Sequence, residues 1–146
     1  MKEQTFSATW KSSTQARKQH LFRYTAPLHV KQKLMHVHLS PDLRQKYGFR
    51  NILIRKGDKV KILRGQWKRK EGKIERVDLK REHIFVAGVD TIKKDGTKVP
   101  YPVAPSNVMI LELDLADKRR KKKLESKKHT ETKQKETKSK GKDTKK

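Results

Sequence analysis

Residues 55–78 decide the fold, and they read RKGDKVKILRGQWKRKEGKIERVD. Apolar and basic residues alternate over 59–62, which predicts a strand with one face on a core and the other toward solvent or a ligand. The β-branched residues within 73–77 predict a strand that runs back alongside it. Gly65 and Gly72 are expected to let the backbone enter turn conformations that side chains forbid, so a glycine-bearing loop joins the two strands.

The sequence after this stretch carries more strand and turn signals. Runs rich in β-branched residues at 83–89 and 108–111 predict further strands. The pair Asp95-Gly96 predicts a hairpin turn between them, because it tolerates positive φ. About five short strands within about sixty residues are typical of a small barrel. We therefore predict a mainly β fold with a thin core.

The N-terminal third predicts short helical pieces. Ser40 supplies an N-cap, Pro41 suits the first helical position, and Gly48 can end that helix. A basic helix is expected over 27–35, while residues 1–20 show no clear period.

The charge of the chain is large and unevenly distributed. Its 146 residues include 40 Lys and Arg against 16 Asp and Glu, a formal net charge of +24 that implies a polyanionic partner. Residues 1–56 carry 12 basic and 2 acidic side chains, whereas the last 31 residues carry 15 and 5. We predict three parts: a basic N-terminal extension with short helices at 1–50, a small barrel at 51–115, and a basic, Lys-rich, largely disordered C-terminal tail at 116–146.

Several classes of protein are excluded by what the sequence lacks. It contains no Cys, which excludes disulfide scaffolds, CxxC zinc sites, iron–sulfur clusters and cysteine catalysis. No apolar run approaches the ~20 residues of a membrane span, and no secretory signal is expected. The motifs GxxxxGK[ST], GxSxG and HExxH are absent, so we expect no enzyme, no cofactor and no small-molecule substrate. His36 and His38 are close but lack a nearby Cys or carboxylate, so no metal site is expected.

The loop between the two predicted strands, which we call the basic loop (residues 64–70), is the strongest functional signal. Lys68, Arg69 and Lys70 cluster near its tip, and arginines can make forked contacts with phosphate. Such charges position RNA rather than read its sequence. Trp67 either stacks on an unpaired base or covers the open end of the barrel. Packing is the favoured interpretation, because a small barrel has few large residues to close it.

The same stretch resembles the KOW motif, in which a hydrophobic alternation, a turn glycine, basic residues and a second glycine recur. The matching positions are Val60, Ile62, Gly65, Lys68, Gly72, Lys73, Ile74 and Val77. The chain departs from the pattern at Arg69, where the family usually has glycine after lysine. The flanks resemble, in order, the archaeal and eukaryotic form of the large-subunit ribosomal protein twenty-four family, called twenty-six in eukaryotes, at 26–29, 39–40, 43–48, 54–58, 95–97, 105–108, Leu113 and 118–120.

This resemblance implies an SH3-like (KOW) barrel that binds the 5′ domain of large-subunit ribosomal RNA early in subunit assembly. It also implies a place near the nascent-peptide tunnel exit of the cytoplasmic large subunit, beside neighbouring large-subunit ribosomal proteins. The residues expected to contact the RNA are Arg17, Lys18, Arg23, Lys31, Lys33, Arg55, Lys56, Arg64, Gly65, Trp67, Lys68, Arg69, Lys70, Gly72, Lys73, Arg119 and Arg120. Two alternatives stay open: a KOW-type transcription elongation factor, and a basic nucleic-acid-compacting protein whose lysine tail does most of the binding.

Overall fold

The structure is a computed structural model that describes residues 6–7 and 13–125. Its elements, in chain order, are α1 (Ala16–Thr25), α2 (Leu28–Leu34), β1 (His36–Leu39), α3 (Pro41–Tyr47), β2 (Asn51–Leu53), β3 (Lys59–Ile62), β4 (Glu71–Asp78), β5 (His83–Val86), β6 (Asp90–Ile92), β7 (Lys98–Pro100), the 3-10 helix η1 (Pro105–Asn107) and β8 (Val108–Glu112). Residues 118–125 are also helical. The part of the predicted tail from 126 onward lies outside the described residues.

The strands form one large sheet and one hairpin. The six-stranded sheet has the order β2-β1-β8-β3-β4-β5, while β6 and β7 pair with each other. β1 and β8 are parallel, and the other neighbours are antiparallel. β4 pairs first with β3 and then with β5, and its register shifts between Ile74 and Arg76. Irregularities of this kind bend a strand, so β4 can serve two parts of a curved sheet. The predicted mainly β fold is confirmed.

The two helices predicted from local sequence signals form. α2 lies within the predicted stretch 27–35. α3 begins after Ser40, whose side-chain oxygen accepts a hydrogen bond from the Leu43 N–H at 3.4 Å. It ends at Gly48, which has φ +69°, a left-handed conformation that glycine adopts without steric cost. Capping chemistry is local, which explains why the sequence alone predicts these bounds.

The N-terminal part also contains two elements that the sequence does not predict. β1 buries Val37 and Leu39 and pairs with both β2 and β8, so part of the N-terminal extension belongs to the sheet. No turn residue separates the four residues of β1 from the predicted helix at 27–35, so no local signal marks the start of a strand there. α1 has no buried residue among its ten, and therefore no apolar face that a periodicity argument could detect.

The inward-facing side chains of the strands form the hydrophobic core. Val60 and Ile62 of β3 are almost fully buried, as the alternation of 59–62 predicts. Ile110 of β8 is buried in the same cluster. The helical segment 118–125 contributes Leu124, which is 1% exposed and belongs to the same cluster. The first residues of the predicted tail are therefore part of the folded unit.

The turn glycines behave as predicted at two positions and differently at a third. Gly65 and Gly96 have φ +95° and +79°, and the predicted hairpin turn joins β6 to β7. The turn predicted at Gly72 is wrong, because this residue lies within β4 opposite Val60. A Cβ at Gly72 would lie 2.7 Å from the carbonyl oxygen of Ala87. Close packing of backbone, rather than a turn, requires glycine there.

Candidate nucleic-acid interface

Hydrogen bonds fix the backbone of the basic loop. At its base, the Ile62 N–H donates to the Lys70 carbonyl oxygen at 2.9 Å, and the Arg69 N–H donates to the Ile62 carbonyl oxygen at 2.8 Å. Inside the loop, the Lys68 N–H donates to the Gly65 carbonyl oxygen at 3.1 Å. A backbone already ordered in this way loses less conformational freedom when it binds a partner.

The cations of the basic loop are available to a ligand. Arg64, Lys68 and Arg69 are exposed, and none of them forms a salt bridge with a described carboxylate. By contrast, Lys61 on the adjoining strand lies 3.1 Å from a carboxylate oxygen of Glu71. Three cations without carboxylate partners within six residues form a local positive field that favours phosphate.

Lys70 and Trp67 make contacts within the protein. The Lys70 ammonium lies 4.6 Å from the centre of the Trp67 ring, and it donates to the carbonyl oxygen of Gly88. The ring itself is half-buried and packs against the hydrophobic core. This agrees with the favoured interpretation that Trp67 covers part of the barrel, and Lys70 adds a cation–π contact to it.

Arg69 occupies a left-handed conformation, with φ +73°, where the KOW motif usually has glycine. A side chain in this region costs about 1–2 kcal/mol, and the greater freedom of glycine in the unfolded chain offsets about 0.5–1 kcal/mol of that. Replacing Arg69 with Gly is therefore expected to raise the free energy of unfolding by up to about 1.5 kcal/mol in urea denaturation. Arg69→Ala keeps the left-handed backbone strain, so its free energy of unfolding should not rise. Equal stability of Arg69→Gly and Arg69→Ala would contradict the argument that backbone strain at position 69 destabilises the loop.

The predicted contacts of the N-terminal extension separate into exposed and buried side chains. Arg17, Lys18 and Arg23 are exposed on α1, and Lys33 is exposed on α2. Lys31 is buried, and its ammonium donates to the Lys80 carbonyl oxygen at 3.1 Å. Lys31 thus connects α2 to the turn after β4 through a hydrogen bond. The other four cations, Arg17, Lys18, Arg23 and Lys33, are accessible to a ligand.

The two cations before β3 also differ. Lys56 is exposed, whereas the Arg55 guanidinium donates to the carboxylate of Asp117. This hydrogen bond is the main reason that the pKa of Asp117 lies below its ordinary value, and the Arg119 N–H contributes as a second donor. Arg55 is still exposed, so the pair leaves part of its guanidinium open to solvent.

Arg119 and Arg120 are neighbours with opposite environments. Arg119 is exposed, whereas Arg120 is 4% exposed and holds the fully buried carboxylate of Asp58 with two hydrogen bonds of 2.6 and 2.8 Å. The Asp58 carboxylate also accepts a hydrogen bond from the Arg55 N–H at 2.9 Å, which stabilises the turn that leads into β3. Because the Arg120 side chain is buried and both of its Nη atoms bind protein acceptors, it is not accessible to a nucleic acid, contrary to the prediction.

The β6–β7 hairpin is an exposed basic element that is absent from the predicted RNA contacts. Every residue from 91 to 100 is exposed, among them Lys93, Lys94 and Lys98. Its apolar side chains Ile92 and Val99 are exposed too. The signal in the sequence was the cluster of lysines around the predicted turn.

The described residues contain neither a cluster of metal ligands nor a helix that could span a membrane. Within residues 6–7 and 13–125, no three His, Asp or Glu side chains come together in a group that could hold a metal ion. The Nδ1 atom of His36 instead lies 2.7 Å from the Lys33 carbonyl oxygen. The helices of the described ranges are too short or too polar to pass through a lipid bilayer.

Comparison with known proteins gives matches that cover most of the chain. A family model described as the ribosomal proteins L26 of eukaryotes and L24 of archaea matches residues 13–127. A curated relative, the large ribosomal subunit protein uL24 of Methanothrix thermoacetophila, is 52% identical over 110 residues, which cover 75% of this chain and 95% of that protein. The matched region includes α1, the whole sheet and the helical segment 118–125.

Proposed function

The chain belongs to the family of the eukaryotic L26 and archaeal L24 ribosomal proteins, and from this premise we propose that it binds large-subunit ribosomal RNA mainly through the basic loop. The observation that supports this proposal is the set of three exposed cations, Arg64, Lys68 and Arg69, on a backbone fixed by hydrogen bonds. The protein is a structural constituent of the cytoplasmic large ribosomal subunit and not an enzyme. Membership of this family favours a ribosomal function over the two alternatives, an elongation factor and a nucleic-acid-compacting protein.

The chemistry of the loop favours contact with phosphate. Guanidinium groups bind phosphate through two parallel hydrogen bonds, and ammonium groups act as mobile point charges. The major groove of A-form RNA is too narrow for side chains to read, so backbone and shape dominate recognition of RNA helices. The proposed contacts comprise Arg17, Lys18, Arg23, Lys33, Arg55, Lys56, Arg64, Gly65, Lys68, Arg69, Lys70, Lys73 and Arg119.

Three finer parts of the proposal rest on the family resemblance. These are binding to the 5′ domain of the RNA, a role early in subunit assembly, and a location near the tunnel exit. Neighbouring large-subunit ribosomal proteins are proposed as further partners, and the exposed apolar side chains of the β6–β7 hairpin offer one surface for them.

The proposal predicts a change in the salt dependence of RNA binding. Replacing Arg64 and Lys68 with Ala should weaken binding to large-subunit ribosomal RNA and reduce the magnitude of the negative slope of log K against log salt by about 0.7–0.9 for each lost phosphate contact. The affinity is measured by filter binding at several salt concentrations.

The matched control replaces Lys59 and Lys61 with Ala. These two lysines lie on β3, the strand that leads into the loop, and are paired with Glu112 and Glu71 at 3.0 and 3.1 Å. The control removes the same charge and should change the slope less. Equal slopes for the two double variants would contradict a specific role for the basic loop, and a lack of RNA binding by the unaltered chain would contradict the proposal as a whole.

A further inference from the structure

A cavity of about 230 Å³ lies between the basic loop and the segment that leads into η1. Arg64, Gln66 and Trp67 line it from the loop, and His83, Tyr101 and Asn107 line it from the other side. The rings of Trp67, His83 and Tyr101 and the amide side chains of Gln66 and Asn107 therefore line one small cavity. The cations of the basic loop, which we propose bind phosphate, lie beside it.

Two side chains of this cavity have buried ring nitrogens without partners. Among the described residues, four buried side-chain nitrogens have no hydrogen-bond partner: Trp67 Nε1, His83 Nδ1, His38 Nδ1 and Arg120 Nε. The first two belong to rings that line the same cavity. A buried donor or acceptor without a partner destabilises a fold, so two of them at one cavity call for an explanation. A ligand that shifts these rings slightly could supply both partners.

The dimensions and chemistry of the cavity favour a nucleobase. Its volume corresponds to about eight water molecules, which is below the ~300–1,000 Å³ typical of sites for complete small-molecule ligands. Proteins that recognise unpaired RNA stack splayed-out bases on aromatic rings and bind their edges with amide groups. Apart from its two chain neighbours, no heavy atom of residues 6–7 and 13–125 lies within 4 Å of where a Cβ at Gly65 would stand, so a backbone of RNA can approach the rim closely.

We propose that this cavity receives one unpaired base of the bound RNA, with the exposed ring of Tyr101 as its stacking surface, the half-buried ring of Trp67 as part of its wall and Arg64 on the adjacent phosphate. The inference rests on the proposed function and adds to it, because the other contacts of the basic loop carry no information on bases. The loop would then position the RNA helix, and the cavity would select a nucleotide that is free to leave the stack.

The test uses the full chain with Trp10→Phe, so that Trp67 is its single tryptophan. Saturation with large-subunit ribosomal RNA is expected to quench the emission of Trp67. Ultraviolet crosslinking followed by mass spectrometry is expected to join one nucleotide to the peptide that contains Trp67 or Tyr101.

A second variant fills the cavity without removing its rings. Ala104 also lines the cavity and has an extended backbone, so Ala104→Leu should occupy the space. It is expected to weaken RNA binding about 5- to 150-fold, the loss that corresponds to one stacked base, and to abolish the quenching. Ala116→Leu, at an exposed position outside the cavity, is the matched control and should bind normally.

The outcomes separate this inference from the proposed function. If the RNA binds with its usual salt dependence while Trp67 emission is unchanged and no crosslink forms at the cavity, the base site is refuted and the proposed function stands. A crosslink from the cavity to another ribosomal protein in the intact subunit would also refute it. If circular dichroism shows that Ala104→Leu does not fold, the quenching and the crosslink measured with the Trp10→Phe chain determine whether the base site exists.

Discussion

Replacing Asp58 with Ala is expected to lower the free energy of unfolding by about 3–5 kcal/mol, because it leaves a guanidinium buried without its carboxylate. Asp58 is fully buried and Arg120 nearly so. One carboxylate oxygen accepts from Arg120 Nη1 at 2.6 Å and from the Asp114 N–H at 2.9 Å, and the other accepts from Arg120 Nη2 at 2.8 Å and from the Arg55 N–H at 2.9 Å.

This pair connects three distant parts of the chain. Arg120 also donates to the carbonyl oxygens of Asp114 and Leu53, at 2.9 and 3.2 Å. The entry into β3, the end of β8 and the helical segment 118–125 are thus held by one hydrogen-bond network. Loss of its central acceptor should release the helical segment and expose the core around Leu124.

Chemical denaturation measures the loss of stability in Asp58→Ala, and the exposed ion pair between Arg55 and Asp117 provides the control. Asp117→Ala removes the partner of Arg55 at the surface, where both side chains are substantially exposed, so its effect should be far smaller. Changing Asp58 to Leu together with Arg120 to Met should recover part of the stability, because the apolar pair leaves no buried charge, although the Arg55 and Asp114 N–H groups still lose their acceptor. A loss below about 1 kcal/mol for Asp58→Ala would contradict the central role of this network.

Replacing Gly72 with Val is expected to lower the free energy of unfolding by about 1–3 kcal/mol or more, because the side chain has no space. Its Cβ would lie 2.7 Å from the Ala87 carbonyl oxygen and 2.8 Å from Val86 Cγ1. The first of these atoms belongs to backbone that the Ala87 N–H anchors to the Lys73 carbonyl oxygen at 2.8 Å. The clash can be relieved only by separating β4 from the chain that follows β5.

Thermal or urea denaturation again measures the change, with Lys73→Ala as the control. Lys73 is the next residue of β4 and is exposed, so its replacement should alter stability by no more than about 0.5 kcal/mol. Amide hydrogen exchange adds a local measurement, because the Ala87 N–H should lose protection in Gly72→Val. A variant as stable as the unaltered chain, with that protection intact, would contradict the packing argument.

The sequence by itself determined the features that depend on neighbouring residues. The alternation of 59–62 predicts β3, the capping residues around Ser40 and Gly48 predict α3, and Asp95-Gly96 predicts the turn between β6 and β7. It also determined the concentration of positive charge in the basic loop, since charge is a property of composition. All of these follow from backbone preferences and periodicities that a few residues satisfy on their own.

Tertiary structure alone decided what each of these residues contacts. The sequence presents Arg120 as one member of a run of six cations, and only the approach of Asp58, 62 positions earlier, turns it into a buried ion pair. It presents Gly72 as a turn residue, and only the neighbouring Ala87 carbonyl shows that space is the constraint. β1 exists because β8 pairs with it from far along the chain. Burial and pairing across such separations depend on the whole fold, and no local pattern encodes them.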